Sequence, residues 1–525
     1  MDPASFALSV ASMVQLCIHL GKDLYARCEA YRSAERELQE ANLRIQGHWI
    51  KIEQQLSALQ AVWEALPNAL QIHQYQVLQV LRSKLKAAVK SVQSLTANSG
   101  AEGLFDERID SSVARILLKV SRTKRVKYAV YAKESLEHIV EELEQWQRTF
   151  DPSWFFLSRL AVQTIDQEFS GKRAAESKAV STVVNLREAH RIYDGESSAS
   201  IFLGKDFAIG RYTAITSSSS WLARTDEGVV VVDRIPIRRQ NDLRHRTKDV
   251  RDLARILSKV DPDTFGLLSC RGVLRTEKTF DLFFSIPQSQ QQDPIASLRY
   301  ILSKRAERSY TLNERVKLAN SLARSVVFLH SSSFVHKSIT PENIILCISH
   351  SDRLGTPFLV GFDQFRLAEG PTYLSGDKAW ERNLYRHPRR QGIHPEDEYI
   401  MQHDVYSLGV CLLEIGLWTS FVEYSGDYGQ PIPGPSISIE KLIAERDQRR
   451  AAYEIKKMLV NLAETKLPCL MGNIFTEVVV SCLTCLDKNN ELFGDEEEFL
   501  DDDGILVGVR YIEKVCCFTL GTWWG

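Results

Sequence analysis

Phe334-Val335-His336-Lys337-Ser338-Ile339-Thr340-Pro341-Glu342-Asn343-Ile344-Ile345-Leu346 is the stretch on which the reading of the fold turns. It is a polar loop between apolar flanks. Ahead of it Leu312, Val316, Ala319, Leu322, Val326 and Leu329 recur at helical spacing, so a helix leads directly into the loop. Some 18 residues after Asn343 an apolar strand, Phe358-Leu359-Val360, ends in Gly361-Phe362-Asp363. At the centre of the loop stands Ser338. A neutral hydroxyl neither orients a substrate hydroxyl as a carboxylate does nor accepts its proton well near neutral pH.

The stretch resembles the catalytic loop of protein kinases, H-R-D-L-x-x-x-N, in which the Asp is the base and the Asn holds a metal ion. His336 and Asn343 keep the separation, and Pro341-Glu342-Asn343-Ile344 follows the usual wording. Ser338 replaces the catalytic Asp and Thr340 the usual lysine. D-F-G has become Gly361-Phe362-Asp363, with glycine where a metal-chelating carboxylate belongs and Asp363 displaced by two residues. Tyr385-Arg386-His387-Pro388-Arg389 resembles the end of an activation segment, with Arg389 in place of the Glu of A-P-E. Asp404-Val405-Tyr406-Ser407-Leu408-Gly409-Val410-Cys411-Leu412-Leu413-Glu414-Ile415 closely matches the kinase αF helix. The resemblance implies that Asp404 bonds the catalytic-loop backbone, a structural task. Leu459 to Leu462 and Phe475 to Leu486 supply later helices.

Upstream, Ile201-Phe202-Leu203-Gly204 and Val229-Val230-Val231-Val232 read as strands. Two more, Phe265 to Leu274 and Phe280 to Pro287, sit where a kinase has β4, β5 and the hinge, and Gln288 to Gln292 reads as a flexible loop. No G-x-G-x-x-G lies between Gly204 and Gly210. Val230-Val231-Val232-Asp233 carries an acid where the V-A-I-K lysine would fall, and Arg234, one register away, is the candidate substitute. The αC segment, Lys248 to Val260, offers Asp249 and Asp252 but no Glu. Asp233 would repel phosphates, so Arg234, Asn343 and Asp363 are the only candidates for holding ATP and Mg²⁺, and no cofactor is expected.

The first third reads as helices. Leu38, Ile45, Trp49, Ile52, Leu56, Leu59, Trp63 and Leu66 form one seam, stopped by Pro67; Leu78, Leu81, Leu85, Ala88, Val92 and Leu95 form a second. Ile109, Val113, Ile116, Leu117 and Val120 begin a third, and Leu136, Ile139, Leu143 and Trp146 carry another. A four- or five-helix bundle is expected. Its first helix, Phe6 to Leu20, is apolar except for a stripe of Ser9, Ser12, Gln15 and His19. Either it is a bundle element, or Phe6, Leu8, Val10, Met13 and Val14 form a face that enters a membrane once released. Lys119, Arg122, Lys124, Arg125, Lys127 and Lys133 form a basic cluster, read as a solvated face or as a contact for anionic lipid. No aromatic interleaving points it to nucleic acid.

Asp2-Pro3-Ala4-Ser5-Phe6-Ala7-Leu8-Ser9-Val10-Ala11-Ser12, the long helices and Phe150-Asp151-Pro152-Ser153-Trp154-Phe155-Phe156 resemble the HeLo-type (prion-inhibition and propagation) domain of filamentous fungi. The likeness covers residues 1–165 and is most specific at Asp-Pro-Ser-Trp. It implies a role in fungal incompatibility and regulated cell death, in some members through membrane disruption by the first helix.

With 525 residues the chain is too long for one ordinary core. At 44% hydrophobic and 25% charged it has the composition of a soluble globular protein, and a net charge of -2 argues against a generic polyanion binder. The ten cysteines have no disulfide-like spacing, which fits a reducing, cytoplasmic setting, and Cys482-x-x-Cys485 reads as helix packing. Asp495 to Asp503 is an acidic patch and Val515 to Gly525 an apolar tail. The expected organisation is a multidomain chain. A helical bundle (1–165) and a linker (166–200) precede an α+β bilobal kinase-like fold (201–287 and 288–525). The expected function is a signalling pseudokinase fused to a HeLo-like effector, acting through protein partners, homo-oligomerisation or peripheral membrane contact. A weak atypical Ser/Thr kinase and a purely structural interaction module are the alternatives. Asp404 is the structural anchor, and the degenerate catalytic positions are His336, Ser338 and Asn343.

Overall fold

The structure, a computed structural model, describes residues 3–29, 36–63, 68–97, 135–143, 146 and 201–490. Short stretches within the last span (205–206, 208–209, 238–242, 305–309, 333, 349–353, 368–375 and 425–428) are outside the description. The basic cluster at 119–133, the seam from Ile109 to Val120, the Asp-Pro-Ser-Trp segment, the linker and the two tail features also lie outside the described residues. The chain divides into two units, Met1–Val184 and Asn185–Gly525. The first is helical; the second combines antiparallel sheets with helices.

In the first unit three long helices, α1 (Pro3–Glu29), α2 (Arg36–Val62) and α3 (Asn68–Ala97), are followed by helical residues 135–143. The seams explain the packing: Ile45, Trp49, Ile52, Leu56, Leu59 and Trp63 are buried, as are Leu78, Leu81, Leu85, Ala88 and Val92, and Leu136, Ile139, Leu143 and Trp146. A helix with one apolar stripe can remove it from water only against another helix. Val10, Met13 and Val14 face this core, while Ser12, Gln15 and His19 are exposed. Phe6 and Leu8 belong to the first turns of α1. Among the described residues no helix is long and apolar enough to cross a membrane. Helix α1 approaches α2 at Gly21, where an added Cβ would lie 1.8 Å from the ring of Trp49. Trp49 is buried and has nowhere to withdraw. Gly21→Ala is therefore expected to cost about 1–3 kcal/mol by overpacking, read as an earlier urea unfolding transition by far-UV circular dichroism.

The second unit opens with a five-stranded antiparallel sheet. Its strands are β1 (Thr213–Ala214), β2 (Trp221–Thr225), β3 (Gly228–Pro236), β4 (Ser269–Arg275) and β5 (Thr279–Ser285), in the order β1-β2-β3-β5-β4. Helix α4 (Leu243–Leu257) intervenes between β3 and β4; it starts five residues before the expected Lys248. Ile201–Gly204, expected as a strand, makes only an isolated parallel bridge to the β4 edge, from Phe202 to Val273. The Gln288–Gln292 insertion is not a free loop. Gln291 accepts the Val229 N–H at 3.0 Å and donates to the Ile286 carbonyl at 2.8 Å, which ties it to the sheet.

Below the sheet, β6 (Ile295–Ser297), β8 (Ile344–Cys347) and β9 (Thr356–Leu359) form a three-stranded sheet, and β7 (Phe334–Val335) pairs with β10 (Arg366–Leu367). Helix α5 (Leu298–Ser303) follows β6. Helix α6 (Leu312–Ser331) begins with a capping box between Thr311 and Glu314, which satisfies two N–H groups left unpaired at a helix start, and delivers the chain to β7. Helix α7 (Met401–Leu417) is buried from His403 to Gly416, as an all-round apolar helix must be. Helices α8 (Gln448–Met471) and α9 (Asn473–Leu483) pack beside it. Cys482 and Cys485 are free thiols in this core, and burial pushes the Cys482 thiol up to about 12.

Candidate functional site

Two elements of the sheet and two loops of the helical part meet at one polar junction. Side chains alternate faces along a strand. On β3, Val230 and Val232 join Ala223 and Phe283 in one cluster, and Tyr212 and Trp221 pack on that side. Arg234 belongs to the same face: its guanidinium lies 4.5 Å from the Tyr212 ring centroid and 5.1 Å from that of Trp221, with Asp281 at 3.6 Å. Asp233 points to the opposite face, toward the junction. Arg234 is thus not brought together with Asn343, which corrects its candidacy as a lysine substitute; a one-residue register difference is a change of face.

Asp233 is almost completely buried. One carboxylate oxygen accepts the Ser220 hydroxyl; the other accepts the N–H of Gly361 at 2.6 Å and of Phe362 at 3.3 Å. Burial pushes this carboxyl above the usual range, against the pull of those three donors. Its partners occupy the segment where the kinase resemblance expects a chelating carboxylate. Gly361 has φ +83°, and a Cβ there would lie 2.3 Å from Cγ and Oδ1 of Asn343. Position 361 has room only for glycine. Asp363 is in the short helical turn Phe362–Gln364, its carboxylate accepting the Gln364 amide at 2.5 Å and its carbonyl accepting Arg246 at 3.0 Å.

Asn343 is also occupied. Its Nδ2 donates to the Ser338 carbonyl at 2.8 Å and to the Ser338 hydroxyl at 2.9 Å, and its Oδ1 accepts the Ser219 hydroxyl at 2.5 Å. Ser338 stands within reach of Asn343 but is bonded as a neutral hydroxyl. His336 lies underneath. Its Nε2 is 3.0 Å from the Val360 carbonyl and so carries the proton, while Nδ1 accepts the Ser338 N–H at 3.3 Å. Burial pushes the imidazole pKa down, which keeps the ring neutral, and it packs on Phe362.

Asp404 organises the loop from below. It accepts the N–H of His336 at 2.7 Å and of Lys337 at 2.9 Å, the Tyr399 hydroxyl at 2.6 Å, and stands 3.0 Å from His330 Nε2. Burial alone would raise this carboxyl; the hydrogen bonds it accepts, that with His330 foremost, outweigh burial and hold the group low. Lys337 sits at φ +67°, a conformation that the paired N–H helps to hold. Its ammonium is pushed down to about 8, first by burial and then by Arg366 and Arg390.

Two features escaped the sequence. The turn Thr216-Ser217-Ser218-Ser219-Ser220 carries no motif or periodicity, yet it reaches both Asn343 and Asp233. Arg299, fully buried, donates to Glu342 through Nε (2.9 Å) and Nη2 (3.2 Å), to Glu414 at 2.8 Å and to Ser420 at 2.8 Å. It therefore clamps the residue next to Asn343 onto α7. Only the buried Glu at 414, inside an apolar helix, signals in the sequence that a cation must come to meet it. Among the described residues no three His, Cys, Asp or Glu side chains gather as metal ligands. No protein-family model matches the chain.

Proposed function

We propose that the second unit is a protein-kinase-like scaffold without phosphoryl-transfer chemistry, and that it works by contact with protein partners. The observation that carries this is Asp233. At the position of the phosphate-pairing lysine it is a buried carboxylate bonded to the backbone of Gly361 and Phe362. Phosphoryl transfer needs a positioning carboxylate, a metal ligand and charge neutralisation of the phosphates. Here Ser338, Gly361 and Asp233 stand in those places. The sheet, the helix between β3 and β4, and the loop tied to Asp404 support a kinase-like frame that keeps its skeleton. The first unit is the HeLo-like effector or oligomerisation element, in the manner of fungal incompatibility and regulated cell death.

The weak-kinase alternative loses support from Arg234, which faces the other side of β3. Membrane activity of α1 would require Val10, Met13 and Val14 to leave the core they fill, so any such activity follows release of the helix. The test is thermal unfolding of the full chain with millimolar ATP, with and without Mg²⁺. A ligand that binds the native state raises the melting temperature by mass action, and no shift is expected. A reproducible rise restores the kinase or nucleotide-sensor reading. Flotation of the full chain with anionic vesicles separates a membrane-active effector, which floats after its trigger, from a purely structural module, which does not.

A further inference from the structure

The hairpin turn between β1 and β2 is built in an unusual way for a solvent-facing loop. Ser217 adopts φ +54°, an unfavourable conformation for a residue with a Cβ. Ser218 N–H donates to the Ile215 carbonyl at 3.1 Å, Ile215 N–H to the Ser220 carbonyl at 3.3 Å, and Ser220 N–H to the Ser218 hydroxyl at 3.2 Å. From outside, the Ser297 hydroxyl donates to the Thr216 carbonyl at 2.9 Å. The tightened turn delivers two neighbouring hydroxyls to two different halves of the site. Ser219 bonds Asn343 in the loop that Asp404 holds, and Ser220 bonds Asp233, which itself grips Gly361 and Phe362.

We infer that the serine turn 216–220 is the site's own permanent occupant, a tethered plug that joins the sheet to the helical part in place of any ligand. The inference rests on the scaffold reading above and adds what closes the site. The Ser219 and Ser220 hydroxyls take up polar atoms of Asn343 and Asp233, and the buried Asp233 carboxylate disfavours an incoming phosphate. Because the chain supplies the occupant, the two halves keep one fixed relation, and the surface offered to a partner does not depend on nucleotide supply. A bond between parts 124 residues apart is a long-range constraint, so its loss acts on both sides at once.

The test is amide hydrogen exchange on the full chain. In Ser219→Ala/Ser220→Ala, exchange at Ile215 and Ser218 in the turn and at Gly361 and Phe362 is expected to accelerate together by at least tenfold, with the interior of α7 unchanged. Ser219→Ala alone, at an exposed position, is the variant least able to disturb folding and is expected to speed the turn amides at least threefold. Ser217→Gly relieves the positive φ without touching either bond, and it is expected to leave Gly361 and Phe362 at wild-type rates. If in Ser219→Ala/Ser220→Ala the turn accelerates while Gly361 and Phe362 keep their rates, or if that double variant changes neither, the turn is an ordinary hairpin and the inference is wrong. The two failures are distinguishable: unchanged or uncoupled exchange rates sink the plug alone, whereas binding of MgATP to the wild type sinks the scaffold reading and the plug with it.

Discussion

Gly361→Asp, which puts an aspartate where the D-F-G motif of the resemblance has one, is expected to destabilise the second unit and to show no stabilisation by MgATP. Three costs combine. An L-residue held at φ +83° is penalised by about 1–2 kcal/mol. Its Cβ would sit 2.3 Å from Asn343, which cannot yield without abandoning Ser338 and Ser219. The new carboxylate would also share a buried site with Asp233, and like charges there disfavour ionisation of both. Together these give a loss on the order of 4 kcal/mol or more, in the range reserved for core disruption. At ~2.1 cal/mol/K of unfolding entropy per residue, a unit of about 340 residues (Asn185–Gly525) would lose about 6 °C in melting temperature. Gly361→Ala keeps the backbone and steric costs without the charge and is expected to lose somewhat less. Differential scanning calorimetry reads both. A wild-type melting temperature for Gly361→Asp, or a stabilisation by MgATP in that variant, would show that position 361 tolerates a carboxylate and would overturn the scaffold proposal.

What the sequence makes legible divides along the range of the interactions. The helical seams around Trp49, Leu81 and Ile139 were readable because period-3.6 burial is a local signal. The loop from His336 to Asn343 and its anchor Asp404 were readable because the resemblance pairs them. At Ser338, Gly361 and Asp233 the sequence shows only a departure from the kinase wording; the contacts these residues make instead are not visible in it. Whether Asp233 or Arg234 faces the junction depends on strand register, which nothing in a run of four valines decides. Strands β1 and β2 are short and flank a serine run, so no alternation marks them. The Ser219–Asn343 bond and the Arg299–Glu414 pair span 124 and 115 residues, and no local pattern reports a contact of that kind.

Arg299→Met is expected to be the other severe substitution, and for a different reason. Among the described residues Arg299 is the cation of a buried group with Glu342, Glu414, Ser420 and the Tyr385 hydroxyl, which accepts from Nη2 at 2.5 Å and donates to Glu414 at 2.9 Å. Burial pushes the Glu414 carboxyl up; at Glu342 the charge of Arg299 outweighs burial and holds the carboxyl down. Methionine fills most of the arginine volume but leaves two carboxyls without their cation, and removing one member of a buried ion cluster costs about 3–5 kcal/mol. The cost lies mostly in the stranded charges, not in lost packing, which gives the experiment its internal check. Arg299→Met/Glu342→Gln/Glu414→Gln removes the charges as well and is expected to recover a large part of the loss, since a neutral replacement of a whole buried cluster is often tolerated. Chemical denaturation of the three proteins at neutral pH decides it. If the triple variant is no more stable than Arg299→Met, the residue acts through shape and not through charge. If it recovers, the same clamp that fixes Glu342 also fixes its neighbour Asn343. Asn343, where the kinase resemblance places a metal ligand, would then be held here by an ion cluster with a structural task.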